Sequence, residues 1–190
     1  LNQFGTPNSP HKKGDEANRA LVFARETMSR LLGVKPKQII FTSGGAEANN
    51  QAILTAARLG KKVGRTELVC SAFEHETVLE TFAFLEDFGY KVHYVKPNRD
   101  GLIDLSSVEE VCNDKTALLS IMTVNNELGT IQDISSLAHF AKTKNILFHT
   151  DAVQALGHMP VTLTDNIDLL SLSAHKFGGP KGVGALLYQP

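Results

Sequence analysis

A lysine, an imidazole and two hydroxyls crowd into six residues near the end of the chain: Ser171, Ser173, His175 and Lys176. The apolar run 167–172 reads as a strand, and 183–188, past a turn rich in glycine with Pro180, reads as another. Lys176 therefore stands at the mouth of a strand beside an imidazole and a hydroxyl. A lysine attacks a carbonyl only after losing its proton, and such a setting serves a lysine that must do so. The chemistry is Schiff-base formation with an aldehyde. The plainer reading is a solvated loop lysine, and the rest of the chain has to decide.

The elements that must position these groups follow from periodicity. Residues 1–13 are loop-like, with Pro7, Asn8, Ser9 and Pro10 as turn formers. A helix is expected over 15–32, with Ala17, Leu21, Ala24, Met28, Leu31 and Leu32 at the helical period and Gly33 closing it. Strands are expected at 38–42, 67–71, 90–95, 116–123, 145–150, 167–172 and 183–188. Further helices are expected at 46–58, 76–88, 104–112 (capped by Asp104), 133–142 (capped by Asp133) and 152–156. Strand and helix alternate, and the strands are continuous apolar runs. The reading is an α/β fold: one domain, residues 1–190, with a mostly parallel sheet of about seven strands and helices on both faces.

In such a sheet, ligands sit beyond the carboxyl ends of the strands. The first strand is followed by Ser43, Gly44, Gly45 and Ala46, the second by Glu74 and His75, the next by Asn125, Asn126 and Glu127. Asp151 and Gln154 follow another, and Ser173, His175 and Lys176 the last of the five. Each group has an ordinary alternative: a strand-to-helix turn for Gly44-Gly45, a helix N-cap for Asp151 or His75, a turn residue for Asn126, a solvated helix residue for Gln154, a polar loop for Ser173 and His175. Together they meet the needs of one cofactor, pyridoxal 5'-phosphate. The backbone N–H groups of Gly45 and Ala46, opening a helix, suit a phosphate, with Ser173 and His175 as further donors. Asp151 would keep a pyridine nitrogen protonated, Gln154 would reach a ring hydroxyl, Asn126 would reach that hydroxyl or the substrate, and His75 would stack on the ring and shuttle protons. Lys176 would hold the aldehyde carbon.

The totals exclude other classes. The 190 residues suffice for one sizeable core, and a formal charge of −1 gives no reason to expect nucleic acid or an anionic membrane as partner. No apolar run approaches the roughly 20 residues that span a bilayer. Cys70 and Cys112 do not make a disulfide framework, and no signal-peptide pattern opens the chain, so a reducing, cytoplasmic setting is expected. Seven histidines show no HxxxH or HExxH spacing and there is no CxxC, so no metal is expected. Leu1 is not an initiator methionine and Pro190 follows a strand almost directly, so the chain reads as part of something longer.

The segments FTSGGAEANN at 41–50, Glu74-His75, VNNELG at 124–129, TDAVQ at 150–154 and SAHKFGGPKG at 173–182 resemble, in order and spacing, the cysteine desulfurase and selenocysteine lyase family. That family is a class V branch of the fold-type I pyridoxal-phosphate enzymes. PNSPH at 7–11 resembles a further family segment less closely. The resemblance implies that Lys176 carries the cofactor, Asp151 pairs with the ring nitrogen, His75 stacks on the ring, Asn126 and Gln154 face its hydroxyl, and Gly45, Ala46, Ser173 and His175 hold the phosphate. It implies a homodimer that takes sulfur from L-cysteine, or selenium from L-selenocysteine, giving alanine. The sulfur passes to a loop cysteine and on to an acceptor protein, for iron–sulfur cluster assembly or other sulfur transfer. Ala46 stands where the family usually has a hydroxyl residue, so weaker cofactor binding is expected. Neither cysteine sits where the sulfur acceptor should, which places the catalytic cysteine loop and the small domain outside these residues. A non-catalytic scaffold of the same fold and a class V transamination remain as alternatives.

Overall fold

The computed structural model describes residues 4–164 and 166–190. They form two compact units, one ending at Ile39 and one beginning at Ile40. The first holds helix α1 (Lys12–Leu32) and a 3₁₀ turn at Pro36–Gln38. Helix α1 starts one turn earlier than its apolar period suggests, because His11 caps it: the imidazole Nδ1 accepts the Gly14 N–H at 3.1 Å. Gly33 ends it with φ 66°, a conformation suited to glycine. The apolar stripe of α1 is only partly covered within the chain. Ala17 and Leu32 are buried, whereas Phe23 and Leu31 are 66% and 79% exposed.

The second unit is built on seven strands: β1 (Ile39–Thr42), β2 (Glu67–Ser71), β3 (Lys91–Val95), β4 (Thr116–Ser120), β5 (Leu147–Asp151), β6 (Leu169–Ser173) and β7 (Gly184–Tyr188). Their order across the sheet is β1-β7-β6-β5-β4-β2-β3. The pairs β2–β3, β2–β4, β4–β5 and β5–β6 are parallel and β6–β7 is antiparallel. The helices are α2 (Gly45–Lys62), α3 (Glu76–Asp87), α4 (Leu105–Val111) and α5 (Ile134–Thr143). The crossover through α3 steps outward from β2 to β3, and the one through α5 steps the other way, from β4 to β5. Right-handed crossovers then place α3 and α5 on opposite faces. Helix α2 packs against α3. Strands β2 and β4, covered on both sides, are buried at every residue. The core around Ile53, Leu68, Leu118 and Phe82 lies between these strands and α2 and α3.

Two expected elements differ. The strand expected over 116–123 ends at Ser120: toward β5 the Ile121 and Thr123 N–H groups still reach the His149 and Asp151 carbonyls, but on the β2 side the Met122 N–H is taken by the Glu74 carboxyl at 2.8 Å. The helix expected over 152–156 does not form. Asp151 Oδ1 does accept the Val153 N–H at 2.9 Å, as an N-cap would, but Gly157, with φ 86°, turns the chain at once. So short a segment has no room to offset the cost of helix nucleation. Helix α4 forms as expected, but the Asp104 side chain does not cap it; its Oδ1 accepts from Asn98 Nδ2 at 2.9 Å.

A buried histidine fixes strand register beneath the site. His149, in the middle of β5 and fully buried, has Nδ1 2.8 Å from Ser120 Oγ on β4 and Nε2 2.9 Å from Ser171 Oγ on β6. Asp151, two residues on, shares its face of the strand. Burial pushes the His149 imidazole down to about 3, so the ring is neutral and one nitrogen donates while the other accepts. In the unfolded chain the ring regains its ordinary value of 6.5, so this contribution to stability is lost as pH falls through 6.5 toward 3. Replacement by Gln should flatten the acid limb of the thermal stability profile, measured as Tm against pH. An unchanged acid limb would show that His149 is not among the groups that set it.

Candidate active site

The carboxyl ends of β2, β4, β5 and β6 open on a cleft of about 380 Å³, within the size range of small-molecule sites. Gly45, Ala46, His75, Asn126, Asp151, Gln154, Ser173, His175 and Lys176 all line it. Chain order reverses between β2 and β4, which makes this the switch point where α/β sheets hold ligands.

One wall is the start of α2. Gly44 precedes the helix, and the Ala48 N–H is the first to find an intrahelical carbonyl, that of Gly44 at 3.2 Å. The N–H groups of Gly45, Ala46 and Glu47 therefore have no acceptor within the helix. A Cβ on Gly45 would lie 2.9 Å from Val153 Cγ2 and 3.4 Å from Ser173 Cβ, so glycine is what lets this helix end approach the wall opposite. Glu47 Oε2 accepts both the N–H and the hydroxyl of Ser43, at 2.7 and 2.6 Å, which withdraws Ser43 from service to a ligand. Ser173 Oγ lies 2.9 Å from His175 Nδ1, so these two predicted donors also orient one another. Lys176 belongs to a 3₁₀ turn, Ala174–Phe177, that follows β6 directly. That turn packs closely at Gly157, where a Cβ would come within 2.5 Å of Phe177 Cβ.

Asp151 is the last residue of β5 and is 5% exposed. Burial pushes its carboxyl up. The Val153 N–H, the Asn49 amide at 2.8 Å from Oδ2, and the charges of His75 and Lys176 oppose that rise. The cap-like contact to Val153 uses Oδ1 and leaves Oδ2 to accept from Asn49. His75 does cap α3, with Nδ1 accepting the Thr77 N–H at 3.2 Å, and it lines the cleft as well. Asn125, not Asn126, builds the turn after β4. Its Oδ1 accepts from the Glu127 and Leu128 N–H groups and its Nδ2 donates to the Phe73 carbonyl. The exposed Asn126 is left facing the cleft.

Sequence reading missed Asn49, Thr77 and Lys181, which also line the cleft, and the role of Glu74 below it. Asn49 lies four residues after Gly45 on α2, hence on the same helix face, and that spacing was a usable signal. Glu74 is buried, accepts from the Ser71 hydroxyl and the Met122 N–H through Oε1, and leaves Oε2 without a partner among the described residues. Burial pushes it up to about 8, so it is largely protonated at neutral pH and ties β2 to β4 without adding a second anion beside Asp151.

The sequence matches the class V aminotransferase family (Aminotransferase class-V) over residues 2–190, and the chain belongs to that family. It is 46% identical over 184 residues to a cysteine desulfurase IscS of Clostridium botulinum, and 46% identical over 185 residues to one of Dictyoglomus turgidum. Those alignments cover 96% and 97% of this chain and 46% and 47% of the relatives, so the chain spans about half the length of the curated relatives it matches. Among solved structures, a NifS-like protein superposes with a TM-score of 0.93 at 41% identity, over 99% of this chain and 52% of that one. SspA in complex with cysteine superposes at 0.92 and 41% identity, over 98% and 54%.

The raised Glu74 carboxyl has a consequence for stability. The fold favours its protonated form, so stability falls as pH rises from the ordinary value of 4.5 to about 8. Glu74→Gln keeps an acceptor for Met122 and cannot ionise. Its Tm relative to the parent protein should therefore climb across that pH range; a constant difference would show that Glu74 ionises freely.

Proposed function

We propose that the cleft binds pyridoxal 5'-phosphate and that this chain supplies the cofactor-binding part of a cysteine desulfurase acting on L-cysteine. The observation that carries the reading is the meeting, in one cleft, of a lysine, a buried carboxylate and a glycine-opened helix end. The fit to the cofactor is chemical. The free N–H groups of Gly45 and Ala46, with Ser173 and His175, suit its phosphate, and Asp151 suits a protonated pyridine nitrogen. Asn126 and Gln154 offer amides to its ring hydroxyl, His75 offers a flat ring, and Lys176 offers the amine that would hold it covalently. When bound, the cofactor supplies an electron sink for bond cleavage at an amino acid.

The chain's own residues then do the rest. Asp151 would hold a negative charge for the pyridine nitrogen, and His75 and Lys176 would hold and move protons. The sulfur-accepting thiol is not among these residues. Cys70 is fully buried in β2, with its thiol pushed up by burial, and Cys112 is pushed up to about 12 for the same reason. Neither lines the cleft. The proposal therefore assigns residues 1–190 to a large cofactor-binding domain, with the acceptor cysteine and small domain supplied by other residues. A homodimer is proposed with it, supported by the uncovered apolar side chains of α1. The proposed products are alanine and an enzyme persulfide whose sulfur passes to an acceptor protein in the cytoplasm.

Lys176→Ala in the intact protein should abolish the visible absorbance of the lysine-bound cofactor, and the parent protein given L-cysteine and an excess of a thiol reductant, which reduces the persulfide, should release alanine and sulfide rather than keto acid. Persistence of that absorbance would remove Lys176 from its role, and keto-acid release would favour transamination. Ala46 leaves the phosphate end one hydroxyl short. Ala46→Thr should tighten cofactor binding by about tenfold or more, the worth of one added hydrogen bond to a charged group, measured as Kd by fluorescence titration. Unchanged or weaker binding would place the phosphate elsewhere.

A further inference from the structure

A line of hydrogen bonds under the cleft joins its buried carboxylate to its imidazole, and none of the roles above uses it. Asn49 is 1% exposed, and its Nδ2 donates to Asp151 Oδ2 at 2.8 Å and to Thr77 Oγ1 at 3.1 Å. Thr77 Oγ1 lies 2.9 Å from His75 Nδ1, the atom that also accepts the Thr77 backbone N–H. The directions follow from proton counting. Both Asn49 amide protons are committed, so Thr77 accepts from Asn49 and spends its own proton on His75 Nδ1. With two donors facing Nδ1, the imidazole keeps its proton on Nε2. Flipping the Asn49 amide would set an oxygen against the Asp151 carboxylate, so the orientation is determined.

This arrangement is poorly suited to folding alone. Asn49 Oδ1 is buried without a partner among the described residues, and an apolar residue of the same shape would avoid that cost. What an apolar residue would forfeit is the donor to Asp151. The groups facing that carboxylate are His75 from the start of α3, Lys176 from the turn after β6, and Glu74 from below. Unlike these three, Asn49 has no titratable group, so its hydrogen bond to the carboxylate does not depend on its own protonation.

We propose that Asn49 is a positioning residue: it holds Asp151 oriented and charged and, through Thr77, holds His75 in the tautomer with the proton on Nε2. What the held groups act on rests on the cofactor reading above. The links among the four side chains do not.

The test uses Asn49→Leu in the intact protein, close in shape and without the donor. Without cofactor, carboxyl 13C NMR should show the Asp151 titration midpoint moved to higher pH than in the parent, and imidazole 15N shifts should show His75 divided between tautomers. With cofactor, Kd for pyridoxal phosphate near neutral pH should rise about tenfold or more, the worth of one hydrogen bond to a charged group. The ratio to the parent should shrink as pH rises, because the carboxyl then ionises unaided. Asn49→Ala should behave the same way if the leucine variant misfolds, and Asn50→Ala, on the neighbouring helix face, should change nothing. An unmoved Asp151 midpoint, or a loss of affinity equal at every pH, would overturn the proposal. A parent protein that fails to bind the cofactor while the NMR changes occur would instead overturn the cofactor reading and leave the positioning intact.

Discussion

Keeping one carboxylate charged out of water is the constraint on which this site depends. Asp151 ends a central strand, nearly closed to solvent, and burial there works against its charge. Two hydrogen bonds and the nearby side chains of His75 and Lys176 work for it. A buried anion is tolerable only when so compensated. The compensating groups come from four places in the chain: the first turns of α2, the turn after β5, the N-terminus of α3 and the 3₁₀ turn after β6. The sheet matters to function because it brings those four together.

Its neighbours keep other charge away. Glu74 is held protonated by burial just below, and His149 is held neutral two residues earlier on the same strand face. Each of them joins strands: Glu74 ties β2 to β4, and His149 ties β4, β5 and β6. Polar groups in such a core cost stability unless they are hydrogen-bonded. Here they fix the relative heights of the strand ends that carry His75, Asn126, Asp151 and Lys176. The sheet is thus rigid where the site needs precision, while Lys176 and His75 themselves remain exposed at the cleft mouth.

Most of this was legible in the sequence because its signals were local. Continuous apolar runs marked seven strands, the alternation marked the parallel sheet, and the residues after each strand marked the cleft edge. What escaped was non-local or below the length at which local rules work. The segment after Asp151 looked helical by composition, and Asp151 does accept the Val153 N–H as a cap would, but five residues cannot hold a helix when a glycine at positive φ follows at once. The end of β4 depended on Glu74, 48 positions away in the chain. Asn49 was visible as a residue of the motif at 41–50, but its partner lies 102 positions on, and no sequence spacing reveals a hydrogen bond across that distance.

The central claim is that one amine, that of Lys176, is the group to which the cofactor attaches. The direct measurement is borohydride reduction of the intact protein loaded with pyridoxal phosphate, followed by proteolysis and mass mapping of the lysines. A phosphopyridoxyl group on Lys176 alone is the result this account predicts. The same group on Lys181 across the cleft, or scattered over surface lysines with Lys176 unmodified, would contradict it.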